Sequence, residues 1–197
     1  MRIVLSDFMS LDGVVQAPGG KKEDTDGGFA HGGWSMRFFD AESMGPVFDQ
    51  AIQSTDALLF GRRTYQTMAA AWPGRAGDPF ADQMNAMPKY VASRTLTQDD
   101  LAWNNSTLLP ADDALGAVRE LRARDGGDIQ VMGSSVLAAQ LIANDLVDDY
   151  QLMLEPILLG GGKRLFPDDG NARRLELVSA STASTGVLIC RYRVAGG

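Results

Sequence analysis

Three short apolar runs in this chain stop on the same kind of punctuation. Ala57-Leu58-Leu59-Phe60 is followed by Gly61-Arg62-Arg63-Thr64-Tyr65, Lys89-Tyr90-Val91-Ala92 by Ser93-Arg94, and Ile129-Gln130-Val131-Met132 by Gly133-Ser134-Ser135. Apolar runs this short, bounded by turn residues, read as buried strands rather than helices. Helical spacing appears instead at 43–54, where Val47, Phe48, Ala51 and Ile52 share a face, at 64–71, at 111–124 with Leu115, Val118 and Leu121, and at 135–144 with Val136, Leu137, Leu141 and Ile142. Strands that alternate with helices build βαβ units and a mainly parallel sheet.

Further strands are expected at 2–9 and 107–109, and a long extended run at 147–159 that Gly160-Gly161-Gly162 interrupts. The segments 174–180 and 187–194, joined by a polar turn, carry a hairpin signature. The expected class is therefore α/β, with a mixed, mostly parallel central sheet and an antiparallel C-terminal hairpin. A chain of 197 residues with no composition shift, internal repeat or low-complexity tract is expected to be one domain, 1–197. The stretch 16–33 has no periodicity and is rich in Gly, with Phe29, His31 and Trp34 as aromatic anchors. A loop of this length inside a domain is expected to close over a ligand or to be a mobile surface excursion.

Charge and reactive side chains remove several function classes. Eighteen Lys and Arg against 25 Asp and Glu leave a net charge of -7, which argues against a nucleic-acid or anionic-membrane partner. Cys190 and His31 each occur once, so neither a disulfide, a cysteine zinc cluster nor a histidine-rich metal site is expected. The N-terminus meets an acid at Asp7, too early for a signal peptide, and no apolar run is long enough to span a bilayer. The expected compartment is the cytoplasm.

In a parallel sheet the three punctuated ends fall on one edge, the carboxyl edge where open α/β sheets bind ligands. Gly61 and Gly133 let backbone N–H groups approach an anion, and the helices that follow present free N–H groups and a positive dipole end. Arg62, Arg63 and Arg94 add charge with the geometry for phosphate. The combination points to a ligand with several phosphates; the alternative is a set of ordinary turns and caps. No Gly-x-Gly-x-x-Gly follows a strand, and Gly162-Lys163 is followed by Arg164 rather than Ser or Thr, which disfavours a Rossmann dehydrogenase and a P-loop kinase.

The segment Gly61-Arg62-Arg63-Thr64-Tyr65 resembles the Gly-Arg-x-Thr-aromatic segment of dihydrofolate reductases, and Ser93-Arg94 and Gly133-Ser134-Ser135 follow in the same order and spacing. Met9-Ser10-Leu11-Asp12-Gly13 and Glu155-Pro156-Ile157-Leu158-Leu159-Gly160-Gly161-Gly162-Lys163-Arg164-Leu165-Phe166 resemble one branch of that superfamily. This branch is the reductase domain at the C-terminal end of the bacterial bifunctional riboflavin-biosynthesis deaminase-reductases, the RibD C-terminal domain. The resemblance implies a three-layer α-β-α dihydrofolate reductase-like fold that binds NADPH. Carried over by position, Gly61, Arg62 and Thr64, with Arg63 beside them, would hold the pyrophosphate and its neighbouring phosphate. Ser93 and Arg94 would meet the adenosine 2′-phosphate and favour NADPH over NADH, and Gly133, Ser134 and Ser135 would line the pyrophosphate near the nicotinamide.

The implied reaction is hydride transfer to a C=N or C=O carbon of a small heterocycle or ribosyl pyrimidine, as in 5-amino-6-(5-phosphoribosylamino)uracil reduction. Asp12, Trp34 and Gly161 are the substrate-side candidates. Each has a structural alternative: Asp12 as a turn cap, Trp34 as a loop anchor, and Gly160-Gly161-Gly162 as a tight corner. No His-x-Glu with Pro-Cys-x-x-Cys is present, so a reductase without the deaminase half is expected. Asp40, Glu42 and Asp49 are the acids near the position of the dihydrofolate reductase carboxylate, but Gly45 stands where that acid falls by spacing, and no catalytic residue is assigned. The alternatives are a dihydrofolate or pterin reductase and a non-catalytic NADPH-binding protein. A homodimer is implied by resemblance.

Overall fold

The computed structural model describes residues 1–75 and 77–196. Its strands are β1 (Arg2–Ser10), β2 (Thr55–Gly61), β3 (Lys89–Ala92), β4 (Ser106–Leu108), β5 (Asp128–Met132), β6 (Asp149–Glu155), β7 (Leu175–Thr182) and β8 (Leu188–Val194). Its α-helices are α1 (Ala41–Gln53), α2 (Arg62–Ala71), α3 (Pro79–Ala86), α4 (Ala114–Arg122) and α5 (Ser135–Ala143). All eight strands join one sheet in the order β4-β3-β2-β5-β1-β6-β8-β7. The pairs from β4 to β6 are parallel, and β8 is antiparallel to both of its neighbours, so the C-terminal hairpin is present as expected.

Side-chain alternation along the strands builds two helical layers. On β2, Ala57 and Leu59 join Val118 and Leu121 of α4 and Leu137 and Leu141 of α5. Leu58 and Phe60 point the other way, to Ile52 of α1, Tyr65 of α2 and Met84 of α3. Among the described residues no helix is long and apolar enough to cross a membrane.

Two elements differ from the sequence reading. Helix α3 was not expected, although Asp78-Pro79 is a helix start: the Asp78 carboxylate accepts from the N–H groups of Phe80 (2.9 Å) and Ala81 (3.2 Å), and Pro79 occupies the first turn, where no N–H is needed. The extended run expected over 147–159 ends at Glu155, because Pro156 has no N–H to continue the ladder. Lys89, an apparently ordinary strand residue, is fully buried. Its ammonium donates to the carbonyls of Asn85 (3.0 Å), Met87 (2.8 Å) and Asn104 (3.0 Å) and lies over the Trp103 ring.

Candidate functional site

The carboxyl ends of β1 and β5 are adjacent, and the chain leaves them in opposite directions, toward α1 on one face and α5 on the other. Such a switch point opens a crevice in a doubly wound sheet. Here it opens into a cavity of about 800 Å³, within the range of small-molecule and cofactor sites. All nine residues expected to bind the cofactor line it: Gly61, Arg62, Arg63, Thr64, Ser93, Arg94, Gly133, Ser134 and Ser135.

These residues do different things. Ser134 adopts a left-handed conformation, with φ 62° and ψ 46°. Its hydroxyl accepts from the Gly61 N–H (2.9 Å), and its own N–H donates to the Thr64 hydroxyl (3.1 Å), so the ends of β2 and β5 are tied together. The Ser93 hydroxyl accepts from the N–H groups of Thr95 and Leu96 and shapes the turn that presents Arg94. Helices α2 and α5 begin at the cavity with no side-chain cap on either N-terminus. Their first N–H groups and dipole ends are thus left for a ligand. Arg62 and Arg94 have no carboxylate partner among the described residues, whereas Arg63 is paired with Asp24 and Asp26, both at 2.6 Å.

That pairing belongs to the stretch 16–33, which is a built wall of the cavity. Gln16, buried, donates through Nε2 to the carbonyls of Asp24 and Asp26 and accepts through Oε1 from the Lys163 N–H (2.9 Å). The Lys163 ammonium pairs with Asp24 and Asp26 as Arg63 does. Glu23 lines the cavity, its carboxylate held by the N–H groups of Gly19 (2.8 Å) and Gly20 (2.9 Å). Apolar side chains also line the cavity, among them Phe8, Met36, Phe39, Phe48 and Met153.

The three substrate-side candidates are not brought into this cavity. Asp12 accepts from the Ser10 hydroxyl (2.6 Å) and from the N–H groups of Leu159 (3.1 Å) and Gly160 (2.8 Å). The Ser10 hydroxyl first, and then those N–H groups, hold its carboxyl down at about 2. It fastens the 157–160 turn to the end of β1. Trp34 is 2% exposed, packs with Val14 and Leu159, and donates its indole N–H to the Gln16 carbonyl (2.8 Å), so it anchors the loop and has no face free to stack on a ring. Gly161 lines a separate cavity of about 600 Å³, shared with His31 and Phe29. Of the acids near α1, Asp40 caps that helix and also takes the Ser184 hydroxyl (2.7 Å); Asp40, Glu42 and Asp49 are not among the residues lining the main cavity.

Two buried carboxyls stand out in the structure, one lining the cavity and one bonded to Ser35 of its wall. Asp7, on β1, lines the cavity at 4% exposure, and its Oδ2 has no hydrogen-bond partner. Burial first, and then the nearby Glu23 charge, push it well above the usual carboxylate range, against the Phe8 N–H. Glu155, the last residue of β6, is fully buried; Oε1 accepts from the Ser35 hydroxyl (2.6 Å), and Oε2 has no partner. Burial raises it to about 7, opposed by Ser35 and the Arg37 charge. An acid inside an otherwise apolar strand, as in Ile3-Val4-Leu5-Ser6-Asp7-Phe8-Met9, was the available signal.

A mostly parallel sheet with antiparallel C-terminal strands, flanked by helices and open at this switch point, defines a dihydrofolate reductase-like α/β protein. The chain belongs to the RibD C-terminal domain family, which matches residues 2–189. It is similar to two uncharacterized Bacillus subtilis (strain 168) proteins. YyaP is 30% identical over 196 residues, covering 97% of this chain and 94% of YyaP. YwjB is 23% identical over 176 residues, covering 89% and 88%. A provisionally named riboflavin biosynthesis protein from Shewanella sp. PV-4 superposes with a TM-score of 0.75 at 18% identity over the whole of both chains. A pyrimidine reductase-like protein from Corynebacterium diphtheriae gives 0.67 at 17% identity, covering 100% of this chain and 92% of that one. The Thermotoga maritima diaminohydroxyphosphoribosylaminopyrimidine deaminase/5-amino-6-(5-phosphoribosylamino)uracil reductase gives 0.64 at 12% identity, over 98% of this chain and 56% of its own.

Proposed function

We propose that this protein is an NADPH-dependent reductase that transfers hydride to a C=N or C=O carbon of a small heterocyclic or ribosyl-pyrimidine substrate. The observation that carries the reading is the convergence of two uncapped helix N-termini and two guanidinium groups without carboxylate partners, Arg62 and Arg94, on one cavity that apolar side chains also line. A dinucleotide phosphate needs both: anion sites along one part and a dry, flat-walled part where a ring can lie.

The reduced nicotinamide, when bound, supplies the hydride. The chain's own residues bind, orient and exclude water. Arg94, on the turn that Ser93 shapes, and Arg62 at the start of α2 offer bidentate contacts to phosphate. The first N–H groups of α2 and α5 serve the pyrophosphate. Thr64 and Ser134 act indirectly, since their hydrogen bonds to each other's strand ends hold both helix starts in register. Phe8, Phe48 and Met153, packed against one another, give a ring an apolar wall that excludes water.

The wider reading is a single-domain cytoplasmic protein, 1–197, that works as a homodimer. Edge strand β7, exposed along its length with Leu177 and Val178 uncovered, is the surface offered to the second copy. Sedimentation as a monomer at micromolar concentration refutes the dimer. The cofactor reading is tested by titrating the protein with NADPH and, in parallel, NADH, following nucleotide fluorescence. Tight NADPH binding, a clear preference over NADH and loss of that preference in Arg94→Ala are expected. Failure to bind either nucleotide refutes it.

A further inference from the structure

On β1, Ile3, Leu5 and Met9 all belong to the main apolar cluster, and strand alternation puts Asp7 on their face. Its partner in register on β6 is Leu152, a member of the same cluster. On the other side the chain of β5 has passed from Met132, opposite Ser6, into Gly133. A carboxyl therefore occupies a row otherwise filled by Leu, Ile and Met, and one of its oxygens meets no donor. An unanswered polar atom destabilises a core, and no hydrogen bond to that oxygen offsets the cost. Asp12 and Asp40, by contrast, fasten turns and helix ends. What Asp7 does have is the cavity: it lines the crevice between β1 and β5, as do Gly133, Ser134 and Ser135.

We infer that Asp7 is the proton donor of the reduction, an assignment that rests on the reductase reading above. In the step, hydride and its electron pair form a new C–H bond at the substrate carbon. The π electrons of the C=N or C=O bond move to the heteroatom, which takes the proton from the Asp7 carboxyl. The nicotinamide is left oxidised and Asp7 ionised; water entering the cavity returns the proton.

The surroundings keep this acid protonated between turnovers. From the 16–33 loop it faces Glu23, a like charge fixed by two backbone N–H groups. The residues of β5, the start of α5 and β6 beside it carry no charge: Met132, Gly133, Ser134, Ser135, Leu152 and Met153. Arg62 and Arg63 of α2, Arg94, Asp112, Asp113, Lys163, Asp24 and Asp26 complete the charged lining, and Arg63 and Lys163 are engaged by Asp24 and Asp26.

The test has two arms. In the first, the protein without added nucleotide is labelled with carboxyl-¹³C aspartate and titrated by NMR. One aspartate signal that titrates well above the other aspartates, disappears in Asp7→Asn and titrates at lower pH in Glu23→Gln is expected. In the second, NADPH binding and reduction of 5-amino-6-(5-phosphoribosylamino)uracil are measured across pH. Asp7→Asn is expected to bind NADPH as the unchanged protein does, to lose about 100-fold or more in turnover, and to lose the fall in rate at high pH. NADPH binding together with an ordinary aspartate titration for Asp7 overturns the inference alone, and so does undiminished turnover in Asp7→Asn. Absence of NADPH binding by the unchanged protein overturns the reductase reading and the inference with it.

Discussion

Replacing Glu155 with glutamine isolates the cost of holding an ionised carboxylate in a dry place. The side chain is fully buried at the carboxyl end of β6, with Ser35 as its partner on one oxygen and none on the other. In the folded protein its carboxyl titrates at about 7, against an ordinary value of 4.5. Between those values the folded chain holds a proton that the unfolded chain has released, so stability falls as pH rises through this window, and the penalty is complete above it. At about 1.4 kcal/mol for each tenfold change in proton affinity, the gap corresponds to about 3 kcal/mol, an upper figure, because water entry softens burial. Glu155→Gln keeps an acceptor for the Ser35 hydroxyl and removes the ionisation. Urea unfolding of both proteins at pH 5 and pH 8 gives the double difference. The variant should gain roughly 2 kcal/mol on the original between the two conditions. A difference that does not change with pH, or an original that is the more stable at pH 8, refutes the reasoning.

Other perturbations read other parts of the structure. Gly162→Ala places a methyl 2.8 Å from Phe29 and Val14 at a φ of +118°, and a loss of roughly 2 kcal/mol in thermal or urea unfolding is expected. The double change Asp24→Asn with Asp26→Asn releases Arg63 and Lys163; the loop should become open to proteolysis, with a loss of protection that shrinks in high salt. Lys89→Met leaves three carbonyls, one of them buried, without their donor and should cost about 2 kcal/mol in urea, with little effect on nucleotide fluorescence.

The parts of the fold that were legible are those whose pattern is local. Apolar runs ending at Gly61, Ser93 and Gly133 announced strands β2, β3 and β5, and their common edge followed from parallel pairing. Helix α3 is equally local at its start, which Asp78-Pro79 signals, but it buries only Ala81 and Met84, too short an apolar stripe to show a period. What was not legible depends on long-range partners. Arg63 reads as a phosphate ligand until Asp24 and Asp26, almost forty positions earlier, are seen against it. Trp34 reads as a stacking platform until the Gln16 carbonyl claims its N–H. Asp7 and Glu155 become notable only when each is found buried with one oxygen unanswered.

The reciprocal bonds between Gly61, Thr64 and Ser134 carry a kinetic consequence. Because the Gly61 N–H ends on the Ser134 hydroxyl and the Ser134 N–H on the Thr64 hydroxyl, parting of the β2 and β5 ends frees both amides together. Exchange with deuterium through that opening is shared by the two. A nucleotide that touched only the α2 side would slow both amides alike, and the starts of α2 and α5 would grip or release their ligand as a single jaw.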